Sequence, residues 1–225
     1  MKHLLPVCLI AVMSAAVVPC ASAQSQELRK GVSVQMATTN NATPMPAADN
    51  ADAWIIAVTA DGSLYFGTKP VTEEELVQEM RVNPRNRAAK LYIKPDARAP
   101  FASVKAALNA AHSDLFQNVV LLTNQAEAAT PGTIVLPKGL EILLGTPPSS
   151  GAVVVQISAG QTMQVNNEDV PPAALQSTLK NLLQNRSQSV VLVKADDAVP
   201  FGQVGRVVDI NASVGAKTVI HTQEP

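Results

Sequence analysis

The chain has 225 residues, 47% of them hydrophobic and only 3% aromatic, with a formal net charge of −1. That length suits one large domain or two small ones with aliphatic cores. The balance supplies no basic surplus for nucleic acid and no long charge run for a tail.

In chain order, residues 1–23 read as a secretory signal peptide. Lys2 supplies the positive start, Leu4 to Pro19 the apolar stretch, and Ala21-Ser22-Ala23 a small-residue cleavage site before Gln24. The alternative is a retained inner-membrane anchor facing the periplasm, but the stretch is shorter than the roughly 20 residues a span needs. Cys20 invites a lipoprotein reading, which Pro19 fits poorly. Cys8 and Cys20 both lie in this leader. The exported part therefore has no thiol and no disulfide. Residues 24–52 are polar and rich in Asn, Ala, Thr and Pro, and read as an exposed tether.

Trp54–Thr59 is apolar and β-prone, Ala60-Asp61-Gly62-Ser63 is a hairpin turn signal, and Leu64–Gly67 is the return strand. Thr72 and Glu75 form a capping box opening a helix that turns Leu76, Val77 and Met80 inward. Lys90–Lys94 is the next strand. A second helix follows Pro100-Phe101, with Val104, Ala107, Leu108 and Ala111 on its apolar face. Asn118–Thr123 is the last strand of this set. Residues 126–151 read as a linker, with Thr133–Leu136 and Leu140–Leu144 a candidate hairpin about Pro137-Lys138-Gly139. The order then repeats. A hairpin begins at Val153. A helix carries Leu175, Leu179, Leu182 and Leu183 behind Pro172, which suits its first turn. Val190–Lys194 is a strand. A helix after Pro200-Phe201 carries Val204, Val207 and Val208. Gly215 is placed to end that helix, before Lys217–Thr222.

The repetition extends to individual residues. An offset of 99 aligns Ile56 with Val155, Val58 with Ile157, Ala60 with Ala159 and Leu76 with Leu175. An offset of 100 aligns Lys94 with Lys194, Asp96 with Asp196, Pro100 with Pro200 and Phe101 with Phe201. Val120–Thr123 matches Val219–Thr222, again at 99. Residues 53–125 and 152–223 are therefore expected to be tandem copies of one module. The fold class is α+β: two tandem β-β-α-β-α-β modules, each a small sheet with two helices on one face.

The run from Ala57 to Gly67, followed by Pro70-Val-Thr-Glu-Glu-Glu-Leu76, resembles the first half of the ExbD/TolR periplasmic domain. Val191–Asp196, Val199–Val204 and Gly215–Ile220 resemble its second half. Val32–Ala37, with Pro44 and Pro46 after it, resembles the extended stretch between that family's membrane helix and its domain. The resemblance implies a periplasmic partner of a polytopic proton-channel subunit (ExbB/TolQ-like) or of a TonB/TolA-like protein, in proton-motive-force-coupled transport. It also implies that the modules pair, here as an internal pseudo-dimer. Peptidoglycan binding, as in some TolR-like domains, is the alternative function. The family's membrane helix carries an Asp that transfers protons. Here no acidic residue precedes Glu27, and Leu9 falls near that position. An apolar side chain exchanges no proton, so no proton relay is expected. Partner recognition is expected to use strand edges.

No catalytic, cofactor-binding or metal-ligating residue is assigned. His112 and His221 lack neighbours at metal-ligand spacing and read as structural or surface residues. Asp96 and Asp196 read as loop carboxylates accepting backbone hydrogen bonds rather than as acid–base groups. Phe101 and Phe201 read as packing residues at the start of the second helices. No nucleophile elbow, paired-histidine zinc motif or phosphate loop occurs, and an envelope enzyme is the least supported class.

Overall fold

A computed structural model describes residues 31–82, 89–114, 116, 118–125, 135–145, 152–160, 162–184, 186 and 189–222. The leader and residues 24–30 lie outside the described residues. The elements are β1 (Thr38–Thr39), β2 (Thr43–Pro44), a 3₁₀ turn (Pro46–Asp49), β3 (Trp54–Val58), β4 (Leu64–Phe66), β5 (Lys69–Val71), α1 (Glu73–Val82), β6 (Leu91–Pro95), α2 (Phe101–Ser113) and β7 (Asn118–Gln125). There follow β8 (Lys138–Leu144), β9 (Val153–Ile157), β10 (Met163–Val165), β11 (Glu168–Asp169), a second 3₁₀ turn (Pro172–Ala174), α3 (Leu175–Leu183), β12 (Val190–Ala195), α4 (Phe201–Ser213) and β13 (Lys217–Ile220).

The local signals act as the side chains require. The Thr72 hydroxyl accepts the Glu75 N–H at 3.2 Å, and the Glu75 carboxylate accepts the Thr72 N–H at 2.9 Å. Both orphan donors at the start of α1 are thereby satisfied. Gly62 takes φ +87° in the first hairpin turn and Gly215 takes φ +70° after α4, where a side chain would be strained. Leu76 and Met80 of α1, and Leu175, Leu179 and Leu183 of α3, are buried. They join alternate residues of the strands, such as Ile56, Leu91, Val119, Val153 and Val191, in one core. All four helices supply that core, so they share one face of the sheet.

Each half adds a short third strand, β5 or β11, to its expected hairpin. The larger difference is that the two sheets are one. The strand order is β11-β10-β9-β12-β13-β8-β7-β6-β3-β4-β5. Within each half the two long inner pairings are parallel, β3 to β6 to β7 and β9 to β12 to β13. The join is β8, antiparallel to β7 from Asn118↔Leu143 to Thr123↔Lys138 and parallel to β13. Among the described residues, the candidate hairpin about Pro137-Lys138-Gly139 does not form. Lys138 and Gly139 continue Leu140–Leu144 as strand, paired with β7, while Val135 and Leu136 are exposed coil. Thr133 and Ile134 lie outside the described residues. The reason is that β7 and β13 each leave a row of backbone groups open, and a strand between them satisfies both. Gly139 is required there, because a Cβ would meet Val120 Cγ1 and the Leu121 carbonyl oxygen.

The tether expected over 24–52 also differs. Ala37, Thr39, Met45 and Ala48 are buried. Met45 and Ala48 pack on Tyr92, Val120 and Leu122, on the face of the sheet away from the helices. The segment is polar in composition, yet its few apolar side chains cover sheet surface that would otherwise meet water.

Candidate interaction site at the junction of the two halves

The helices α2 and α4 both begin after a proline, and neither has a side-chain cap. Their first N–H groups need acceptors from elsewhere. Each half provides them for the other. Phe101 N–H donates to Val199 O at 2.8 Å and Ala102 N–H to Asp197 O at 3.0 Å. Reciprocally, Phe201 N–H donates to Ala99 O and Gly202 N–H to Ala97 O, both at 2.8 Å. Equivalent residues exchange equivalent bonds, and Pro100 bridges Pro200 across the axis. That reciprocity is the signature of a two-fold interface, here within one chain. Gly202 permits the approach, since a Cβ would lie 3.1 Å from Ala97 O. Lys105 and Asp197 add an ion pair across the join.

An extended strap preceding half one, residues 32–41, crosses this junction. Val32 O accepts from Lys94 Nζ at 3.0 Å. Gln35 N–H donates to Asp96 Oδ2 at 2.9 Å, and Ala97 N–H donates to Gln35 O at 2.8 Å. Asn124 N–H then donates to Ala37 O, so the strap enters between the ends of β6 and β7. Beyond it the Thr39 and Thr123 hydroxyls bond at 2.7 Å. The strap finally meets half two: Asn41 N–H donates to Asp209 Oδ1 on α4 at 2.8 Å, and Asn40 N–H to the same carboxylate at 3.1 Å.

Asp96 is 2% exposed. Its carboxylate also accepts Arg98 N–H and the Arg98 guanidinium, all at 2.9 Å. The guanidinium holds the acid well below the usual carboxylate range, against the opposing effect of burial; the Gln35 and Arg98 N–H groups add to the lowering. Asp96 is thus a loop carboxylate spent on backbone donors and on Arg98. Asp196, its counterpart, is exposed and accepts Ala159 N–H at 3.0 Å. Phe101 and Phe201 are core residues. His112 Nδ1 and Thr222 Oγ1 lie 2.9 Å apart, tying α2 to the end of half two. His221 is exposed. Among the described residues, no three His, Cys, Asp or Glu side chains are grouped as a metal site would need.

The outer sheet edges are poorly suited to adding a strand. At one end is β5 with Lys69 and Pro70, at the other β11 with Glu168 and Asp169. The inner edges of β7 and β13 are taken by β8. The open surface instead includes a groove of about 560 Å³ floored by Met36, Ile55 and Leu122 and rimmed by Val135, Leu136 and Lys94. The strap and its Asp209 anchor escaped the sequence reading, because a polar extended segment and one helix carboxylate carry no periodic signal. The one available pointer was that Val32–Ala37 resembles a family segment.

What this arrangement can do chemically is hold extended backbone with buried carboxylates and lock two like modules together. The chain matches the family model described as biopolymer transport protein ExbD/TolR over residues 7–126 and again over 129–224. No curated protein matches it.

Proposed function

The chain belongs to the ExbD/TolR biopolymer transport family, and from that premise we propose that it is a non-enzymatic periplasmic interaction module, accessory to TonB- or Tol-type transport and not itself proton-carrying. Members of the family face the periplasm and work with ExbB/TolQ-type and TonB/TolA-type partners. Residues 53–125 and 152–223 act in this reading as the two members of a pair. The observation that carries it is the reciprocal capping of α2 and α4 across the junction. A lone module leaves those helix N–H groups without their acceptors, so the working unit is the pair. Fusing the copies makes pairing intramolecular, at an effective concentration of about millimolar.

Export by the leader, cleaved after Ala23, places the pair in the periplasm. Among the described residues no helix is long and apolar enough to cross a membrane. Leu9, near the position where the family has its proton-transferring Asp, supports a gripping role over a conducting one.

Affinity capture from envelope membranes tests the reading. A polytopic channel subunit, or a TonB- or TolA-type protein, is the expected catch. Recovery of peptidoglycan alone would favour the cell-wall reading. Proton flux through a reconstituted channel that depends on this chain, and is indifferent to Leu9→Asp, would overturn the non-conducting assignment.

A further inference from the structure

The equivalent helices α2 and α4 differ in what makes them helical. The α2 run carries Ala102, Ala106, Ala107, Ala110 and Ala111, and alanine is the best helix former. At the matching positions α4 has Gly202, Arg206, Val207, Ile210 and Asn211, and Gly205 stands where α2 has Lys105. Glycine loses the most backbone entropy in a helix, and Val and Ile lose side-chain freedom, so α4 is the weaker helix by composition. Its glycines serve contacts made from outside half two. A Cβ on Gly202 would lie 3.1 Å from Ala97 O, and one on Gly205 would lie 3.2 Å from Ala37 Cβ of the strap. The strap also ends on α4. The Asp209 carboxylate accepts the Asn40 and Asn41 N–H groups, and the Asn41 side-chain amide donates to Asp209 O at 3.3 Å. Two residues on, Asn211 is fully buried. Its Nδ2 donates to Thr218 Oγ1 on β13 at 3.0 Å, while its Oδ1 has no hydrogen-bond partner among the described residues. Half one has buried Ala111 and Val119 in those two places. A buried acceptor left without a donor destabilises the element that carries it.

We infer that α4 is the yielding helix of the pair and that the strap is its catch. With the strap seated, Ala37 fills the space beside Gly205, and the Asp209 carboxylate is satisfied by strap N–H groups. With the strap lifted, both gains are lost and the low helix propensity of α4 is no longer offset. Opening its last turns also lets the Asn211 amide reach water, which relieves a buried acceptor. Half one has no such incentive to open, because α2 is alanine-rich and meets β7 through apolar Ala111 and Val119. The opening is therefore confined to α4 and its contacts, a partial unfolding rather than a global one. The strap is held at Asp96 in half one and ends at Asp209 in half two. A partner that draws the strap away from half one therefore loosens a helix of half two. By the same linkage, a ligand that holds α4 in place tightens the strap.

The device does not depend on which partner the chain binds, and the whole chain alone tests it. The measurement is native-state amide hydrogen exchange of the full isotope-labelled chain, followed by NMR at neutral pH and corrected for intrinsic rates. Two equivalent buried pairs serve as probes, Ala107 with Val207 and Leu108 with Val208. The expected result is exchange about tenfold or more faster at Val207 and Val208 than at Ala107 and Leu108. Asp209→Ala should speed the α4 amides by roughly a further tenfold and leave the α2 amides unchanged, although alanine by itself favours a helix. Asp96→Ala loosens the strap at its other anchor and should speed Val207 and Val208 more than Ala107 and Leu108, which keeps the catch testable if Asp209→Ala disturbs the fold. Asn211→Ala combined with Thr218→Val installs the residues of half one and should slow the α4 amides toward the α2 rates. Equal exchange of the two pairs in the parent chain, or no slowing in the double variant, would overturn the yielding helix. Strap variants that leave Val207 and Val208 unchanged, or that speed both helices equally, would overturn the catch.

Discussion

Replacing Asp96 with Ala removes the acceptor at the centre of the strap. The carboxylate takes N–H groups from Gln35 and Arg98 at 2.9 Å and two contacts from the Arg98 guanidinium at the same distance. Hydrogen bonds to a charged group contribute roughly 1.5–3 kcal/mol each. The Arg98 side chain is 65% exposed, and solvent screening reduces its share to about 0–1 kcal/mol. The expected loss is about 3 kcal/mol, below the simple sum because the donors share one acceptor. It also has a ceiling: once the strap lifts, no more than its docking free energy can be lost. Urea unfolding at neutral pH gives the total, and hydrogen exchange locates it. The Ala97 and Asn124 amides bond to strap carbonyls and should lose protection well beyond Ile93 in the middle of β6. The gap between parent and variant should also depend on pH. The folded-state pKa of Asp96 is lowered, chiefly by the Arg98 guanidinium. Such a group stabilises fully above its unfolded pKa of about 3.9, and that stability is lost as pH falls through the folded value. The gap should therefore be flat above about pH 5 and narrow progressively below about pH 4. Unchanged protection at Ala97 and Asn124, or a gap that widens on acidification, would refute the reasoning.

Phe201→Ala should cost about 3–5 kcal/mol by urea denaturation, because the ring is fully buried and the site is hemmed by both halves. Phe101→Ala should cost about as much; a large inequality would show that the halves do not share their junction evenly. Gly139→Ala forces a methyl against Val120 Cγ1 and to 2.9 Å from Leu121 O, and should destabilise by about 1–3 kcal/mol, with exchange rising first along β8. Thr72→Ala removes half of the capping box and should cost about 1 kcal/mol, read as a shift in urea midpoint with an unchanged slope.

Much of each half was legible because its signals are local. Thr72 and Glu75 are three residues apart, and their bonds need nothing distant. The stripe of Leu175, Leu179 and Leu183 announces a helix with one buried face whatever it packs against. Repeating one ordered pattern at near-constant offset was enough to predict two like units, and the order of elements follows that prediction with one extra short strand per half. The strand β8 and the strap were not legible for the opposite reason. Leu140–Leu144 reads as a strand in isolation, but nothing near it says that its partners are β7 and β13 rather than the residues just before it.

The amino-acid order by itself determined the helices and the longer strands, their inward faces, the turn glycines and the family resemblance, since each rests on spacings of a few residues or on internal repetition. Only the tertiary structure decided that two sheets become one, that each half caps the other's helix through backbone groups, and that Asp96 is buried beneath the strap while Asp196 is exposed. Backbone hydrogen bonds carry no side-chain signature, and Gln35 and Asp96 are distant in the chain. Which of two like carboxylates is covered therefore depends on where the strap runs, and that is set by packing.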